Sequence, residues 1–521
     1  MSSNNLGKGK LIFKNTIYLY LRMFVMMAVS LYTSRIVLRA LGIEDFGIYN
    51  VVGGIVLCIG FLNNTMSTAS SRFITVAIAH NENHTIKNVF SNVFTVNIML
   101  AFLVVLVSET IGLWFFYEKM KIPENRIDAA FWTYQISIIS TVMNIITVPY
   151  NASIIAYEKM QAFAYITLFD AFAKLIIACL LLYTNNIDLL VSYSLLILFI
   201  QFVDCYVYRE YCKRKFDICK VSLKFDKEFV KEMFAFVGWS SYGSFVSLGF
   251  TQGLNILLNV FFGPIVNASR GIAVQVQNSV QNFMLNFQLA VNPQLIKSFS
   301  INDLEYTKML VEFSSKISFF LLCMLSMPIV ANTKYILDLW LGQVPNFSVE
   351  FIQVTLCISI WQSLATCLRV VNQAEGNIRK FQMYECTWLL LIVPISFLVL
   401  KLGMGPTSVF FVYLFFEFSA NFIRIFIVLP KIQMTCLEYC KKIYLRIMPL
   451  FVITCALALY FHGKDIQSFS FLCLNSLILE SIIIVYIYCF GLSKTEKSYL
   501  KKITYGILSL IHISEPTRRR G

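Results

Sequence analysis

An all-α polytopic membrane protein of about fourteen transmembrane helices is the fold class this sequence predicts, and three observations predict it. Hydrophobic residues make up 58% of the 521 residues, whereas charged residues make up only 14%. A soluble domain carries about 25% charge because its surface faces water, so here the apolar surplus must face lipid. The apolar residues also fall into runs of about 20, the length that crosses a hydrocarbon core. Finally, the charge between those runs alternates. If the N-terminus is cytoplasmic, its side of the membrane receives about four times as many Lys and Arg as the other, the bias that fixes orientation. Both termini are therefore placed in the cytoplasm.

The runs, taken in order, are 15–38, 46–68, 89–117, 129–150, 162–184, 187–208, 233–258, 264–291, 313–333, 350–371, 384–402, 406–429, 443–462 and 466–490. The first is too long for a cleavable signal and lacks a small-residue cleavage site before the second. With 43 basic and 29 acidic residues the net charge is +14. Such an excess in a soluble chain would raise nucleic-acid binding. Here the basic residues flank apolar runs and read as topogenic charge facing anionic lipid. The 14 cysteines lie mostly inside apolar runs and form no CxxC, so they read as small core hydrophobes; with 4 His, no metal site is expected.

The longest inter-span segment, 209–231, is basic and follows the sixth span, where a linker between two halves would lie. The expected organisation is an N-terminal six-helix bundle at 1–208, this cytoplasmic linker, a second six-helix bundle at 232–430, two additional helices at 431–492 and a basic tail at 493–521. Weak internal similarity supports duplication. Residues 36–81 lie over 257–302 without a gap, matching Leu41-Gly42 with Phe262-Gly263, and Ala156 to Phe163 resembles Ala374 to Phe381. Duplicated halves are a transporter design. The closing SEPTRRRG (514–521) follows an apolar stretch too short to span and receives no role.

Charges inside the bilayer are expensive and mark function. Arg22 in the first span and Arg270 in the eighth have no acidic residue one helical turn away. Arg22 reads as cavity-facing, whereas Arg270 reads either as cavity-facing or as snorkelling to the headgroups. Asp170 and Lys174 form an i,i+4 pair that neutralises itself or exchanges an ion. Glu417 and Glu480 are mid-span acids, and Arg424 lies on nearly the same face as Glu417 but too far along the helix for direct contact. Asp170, Lys174, Glu417 and Glu480 are the ion-coupling candidates. The eighth span is the most informative. Asn267, Gly271, Gln275, Asn278, Asn282 and Asn286 recur at spacings of 4, 4, 3, 4 and 4, with Gln277, Gln281 and Gln288 on an adjoining face. Lipid cannot accept so many amides, so this span reads as the wall of an aqueous cavity. Ser240, Ser241, Ser244, Ser247, Thr251, Gln252 and Asn255 of the seventh span and Asn63, Asn64, Thr65, Ser67 and Thr68 of the second complement it. A polar, amide-rich, weakly cationic cavity suits a sugar chain with an anionic end.

The segments SRIVLRALGIEDFGIYNVV (34–52) and Ile155 to Phe163, set in a fourteen-span layout, resemble the Wzx-type O-antigen and polysaccharide flippases of the multidrug/oligosaccharidyl-lipid/polysaccharide exporter superfamily. The resemblance implies a MATE-like fold of two six-helix bundles and residence in the bacterial inner membrane. It implies outward translocation of undecaprenyl-diphosphate-linked oligosaccharide for O-antigen, capsule or exopolysaccharide by alternating access, not catalysis. It also implies cavity arginines on the first and eighth helices, which are the helices of Arg22 and Arg270; the residues themselves then read as Arg22 and Arg270 holding the diphosphate while the amides Asn64, Gln275, Asn278, Gln281, Asn282 and Asn286 bind sugar hydroxyls. Proton or sodium coupling stays open, no other cofactor is expected, and a polysaccharide polymerase and chain-length regulator are the protein partners it suggests. A cation-coupled multidrug exporter of the same superfamily is the alternative. A membrane glycosyltransferase or polymerase ranks behind both: Glu44-Asp45 mimics an acidic pair of such enzymes, but it opens a helix, where acids favour the dipole.

Overall fold

The computed structural model describes residues 3–80, 83–119, 122–182, 188–216, 219, 225–341, 344–462, 468–493, 496 and 497. Most of the 217–224 part of the basic linker and the SEPTRRRG tail lie outside the described residues. Every regular element among the described residues is a helix, and none is a strand. In hydrocarbon no water can satisfy a free backbone group, and a helix satisfies its own.

The first helix, Ser3–His80, is broken at Gly42 into α1 (3–41) and α2 (43–80). There follow α3 (83–119), α4 (Ile127–Ala156), α5 (Met160–Leu181), α6 (Leu189–Lys215), α7 (Lys227–Phe262), α8 (Pro264–Ser300) and α9 (Leu304–Ala331). A short helix that the sequence reading lacked, α10 (Thr333–Leu341), comes next. The chain ends with α11 (Ser348–Glu375), α12 (Arg379–Lys401), α13 (Ser408–Val428), α14 (Cys436–Phe461) and α15 (Phe469–Gly491). Twelve of these are long and apolar enough to cross a membrane. The second and eighth of the fourteen expected spans, α2 and α8, are equally long helices outside that set; α8 is the one laden with amides. The helices also outrun the apolar runs, as α2 reaches His80 and α8 reaches Ser300. A helix needs no lipid to continue, so its polar ends project beyond the hydrocarbon.

Local chemistry sets the breaks. Gly42 (φ 77°, ψ 172°) and Gly263 (φ 80°, ψ −174°) adopt the same backbone conformation at the α1–α2 and α7–α8 corners. A side chain disfavours that region. These are the two glycines the internal alignment matched. The second alignment has a similar signature, because Glu158 (φ 58°) and Gly376 (φ 93°) turn the chain with positive φ between α4 and α5 and between α11 and α12. Side chains cap the starts of several helices. Asp188 accepts from the amides of Leu190 and Val191 at the start of α6, and Asp303 accepts from that of Tyr306 at the start of α9. Each satisfies donors that the helix leaves unpaired.

The chain divides into two compact units, Ile17–Ser244 and Met1–Thr16 with Phe245–Gly521, the divisions falling within α1 and α7. The first unit packs α4 against α6 and α3. Its far-end helix termini are tied by Arg126, which pairs with both Asp45 and Asp188. In the second unit α11 is central, lying against α8, α9 and α13, and 72% of its most apolar stretch is buried.

Candidate functional site

Within the first unit, α2, α4, α5 and α6 enclose a polar cavity of about 280 Å³. Asn63, Asn64 and Ser67 line it from α2, Asn144, Thr147 and Asn151 from α4, and Gln201, Asp204 and Tyr208 from α6. From α5 come Asp170 and Lys174, whose Nζ lies 2.7 Å from Asp170 Oδ1. Asp204 of α6 lines the same cavity as this pair. Arg22 is not among the residues that line this cavity; its guanidinium stacks over the Phe163 ring of α5 at 4.7 Å, in the same unit. The structure thus brings Asn64, Asp170 and Lys174 together around one cavity, with Arg22 packed on α5 through Phe163. Asp204 completes the group, and sequence reasoning missed it. The signal was present: an aspartate inside the sixth apolar run needs a partner or water as much as one in the fifth does.

In the second unit α8 shows two chemically distinct faces. Gly271, Gln275, Asn278 and Asn282 are exposed, and among the described residues the side chains of Asn278 and Asn282 form no hydrogen bond to protein. Gln275 also edges a mostly apolar cleft with Trp340 of α10. Asn286, one turn further, is buried and donates to the Asn282 carbonyl at 2.8 Å.

The adjoining face is packed instead. Gln281 donates to Gln362 Oε1 at 2.8 Å and Ser359 Oγ at 3.2 Å, and buried Gln288 donates to Ser318 Oγ at 2.6 Å. Gln281 is therefore interhelical glue between α8 and α11, not part of the cavity wall the sequence suggested. Sequence spacing reveals which residues share a face, not which helix covers it.

Arg270 departs from one of its two sequence readings. It is 4% exposed, donates to the Thr251 carbonyl at 2.9 Å and lies over the Phe410 ring at 5.7 Å. It does not snorkel. Among the described residues no carboxylate pairs with it, so its nearest compensation is that carbonyl, the aromatic face and Tyr413.

Glu417 also differs from expectation. Arg424 Nη2 lies 2.7 Å from Glu417 Oε1, because two long side chains reaching along one helix face bridge a two-turn separation. Arg424 also pairs with Glu385, which Arg369 holds at 2.7 Å. Gln362 extends the network by donating to Tyr413 Oη at 2.8 Å and Glu417 Oε2 at 3.3 Å. Two acids and two arginines compensate one another, which leaves Glu417 poorly suited to ion coupling. Glu480, the other second-unit candidate, is half-buried in α15 with one carboxylate oxygen enclosed and, among the described residues, unbonded. The Asp45 of the acidic pair is held by Arg126.

No family model matches this sequence, and no curated protein does. Solved structures do. The chain is similar to the crystal structure of a MATE protein in the bent conformation, with a TM-score of 0.72 and 13% identity over 83% of this chain and 98% of that one. An outward-facing multidrug resistance MATE family transporter of the MOP superfamily gives 0.70 and 13%, over 82% and 96%. A MOP superfamily transporter from Pyrococcus furiosus Vc1 (DSM3638), described by a reverse polarity of its binding pocket, gives 0.69 and 13%, also over 82% and 96%. The fold is that of the MATE transporters, a multi-pass membrane architecture.

Proposed function

We propose that this chain is a MOP-superfamily transporter that flips undecaprenyl-diphosphate-linked oligosaccharide outward across the bacterial inner membrane by alternating access. The observation that carries this reading is the exposed face of α8. Among the described residues, Asn278 and Asn282 present their amides to no protein partner, and Gln275 is exposed beside them. Such groups are costly against lipid but well suited to sugar hydroxyls, to which each amide offers a donor and an acceptor. Asn63, Asn64, Asn144, Asn151 and Gln201 supply the same chemistry in the first unit.

A diphosphate also needs cationic company through about 30 Å of hydrocarbon. Arg22, in the same unit as the amide-lined cavity, is the contact residue in this reading; guanidinium suits phosphate oxygens as a planar fork. Arg270, enclosed and lacking a carboxylate among the described residues, contributes positive potential rather than direct contact. The Asp170–Lys174–Asp204 group has one cation for two acids, which fits a proton or sodium ion as the coupling species. It equally supports the second reading, a cation-coupled multidrug exporter.

Two assays separate the readings. In spheroplasts, Arg22→Ala should reduce exposure of lipid-linked sugar at the outer leaflet by tenfold or more, about the value of a charge-assisted hydrogen bond. A wild-type rate in that variant would remove the phosphate role. Loss of the protein should leave drug sensitivity unchanged; increased sensitivity with normal sugar export would favour the multidrug reading.

A further inference from the structure

We infer that the first unit carries a second anion site, away from Arg22, that binds a phosphate group at the end of the bundle the charge distribution assigns to the cytoplasm. It is a pocket of about 340 Å³ between the end of α2, the start of α3 and the start of α7, lined by Arg72, Val76, His80, Val89, Phe229 and Glu232. Its volume lies at the small end of the ~300–1,000 Å³ range of small-molecule sites.

The guanidinium of Arg72 is the reason to assign a ligand. Its side chain is 7% exposed, yet its carboxylate partner, Glu232, is 61% exposed and reaches it with one long contact of 3.4 Å. Nε is buried without a hydrogen bond among the described residues. The rest of the contact is aromatic, with Phe73 at 4.4 Å and Phe236 at 5.3 Å. Arg424, buried more deeply still, is by contrast held at 2.7–2.9 Å by Glu385, Glu417 and Asn421. A buried guanidinium needs charge-assisted hydrogen bonds to offset its lost hydration. Arg72 has room for them and only a loosely attached, solvent-facing carboxylate to supply them.

The aromatic floor fixes the guanidinium, and a tetrahedral oxyanion entering the pocket would meet it edge-on. Glu232 then acts as a displaceable occupant. The walls beyond it, Val76, Ala77, Val89 and Phe229, are apolar, which suits the glycerol and first acyl carbons of a phospholipid. His80 at the end of α2 adds a second donor.

The test uses the full chain, purified and placed in nanodiscs of phosphatidylcholine or of phosphatidylcholine with phosphatidylglycerol, and native mass spectrometry to count retained lipid. Wild type should retain phosphatidylglycerol, and Arg72→Ala should lose it by about tenfold or more. Glu232→Gln should strengthen retention about two- to fivefold, because an exposed competing carboxylate has been removed. Inorganic phosphate that displaces the lipid at millimolar concentration would support the site while assigning it to soluble phosphate. Retention unchanged in a folded Arg72→Ala, or weakened in Glu232→Gln, would overturn the proposal. If Arg72→Ala fails to fold, the exposed Glu232→Gln variant decides alone.

Discussion

Single side chains carry the sharpest consequences. Lys316, 2% exposed in α9, is paired with Glu496 at 2.5 Å. Burial alone pushes the Glu496 carboxyl up, but the Lys316 ammonium and hydrogen bonds from Ser493 overcome it and hold the group below the ordinary carboxylate range. A depressed acid contributes stability that is complete above its unfolded pKa of about 4.3 and is lost as pH falls through the folded value. Glu496→Gln should therefore lower thermal stability in detergent at neutral pH, on the order of 3–5 kcal/mol because a buried ammonium loses its partner. That difference should shrink in acid below about pH 4. A difference constant down to pH 3 would contradict the pairing. No local spacing in the sequence announces the partner of Lys316, which lies 180 residues away. The Glu417–Arg424 contact was missed for the opposite reason: both residues were seen, and the reach of their side chains was underestimated.

Elements explain which of the sequence signals survived. The polar spacing of α8 identified a special helix, and its exposed Gln275, Asn278 and Asn282 lie on the face that spacing selected. It could not separate that face from the one turned to α11, since the partner helix is fixed by tertiary packing rather than by period. The division is testable. Gln281→Ala should cost about 1 kcal/mol of stability, the worth of a net hydrogen bond, and spare transport. Asn282→Ala should do the reverse, and equal effects on both would erase the distinction. The glycine corners were legible in one sequence alone, because the two matched residues share a backbone conformation that few others tolerate. Nothing among the described residues lies within 4 Å of a Cβ added at Gly263, so Gly263→Ala should cost backbone strain only, about 1–3 kcal/mol. An unchanged unfolding temperature would show that the corner relaxes freely.

At the scale of the molecule, composition and run length reveal the membrane architecture, since apolar surplus has nowhere to go but lipid. Asn64, Asp170, Lys174 and Asp204 come from three helices, α2, α5 and α6, far apart along the chain, so their convergence arises from bundle packing and is invisible to any local motif. Each unit carries its own polar surface, the first with acids and amides around a cavity, the second with amides along α8. Under an imposed proton or sodium gradient, Asp204→Asn should weaken the response of transport to the gradient while leaving ungated exchange intact, and a full response would remove the acid pair from coupling. The most direct measurement is flux of lipid-linked oligosaccharide in proteoliposomes made with the purified chain and with its Asn278→Leu/Asn282→Leu variant. Wild type should move the sugar lipid to the opposite leaflet and the folded variant should fall at least tenfold, about the worth of a lost hydrogen bond at each amide; equal flux from both, or none from wild type beside efflux of cationic drugs, would contradict a sugar-lined route.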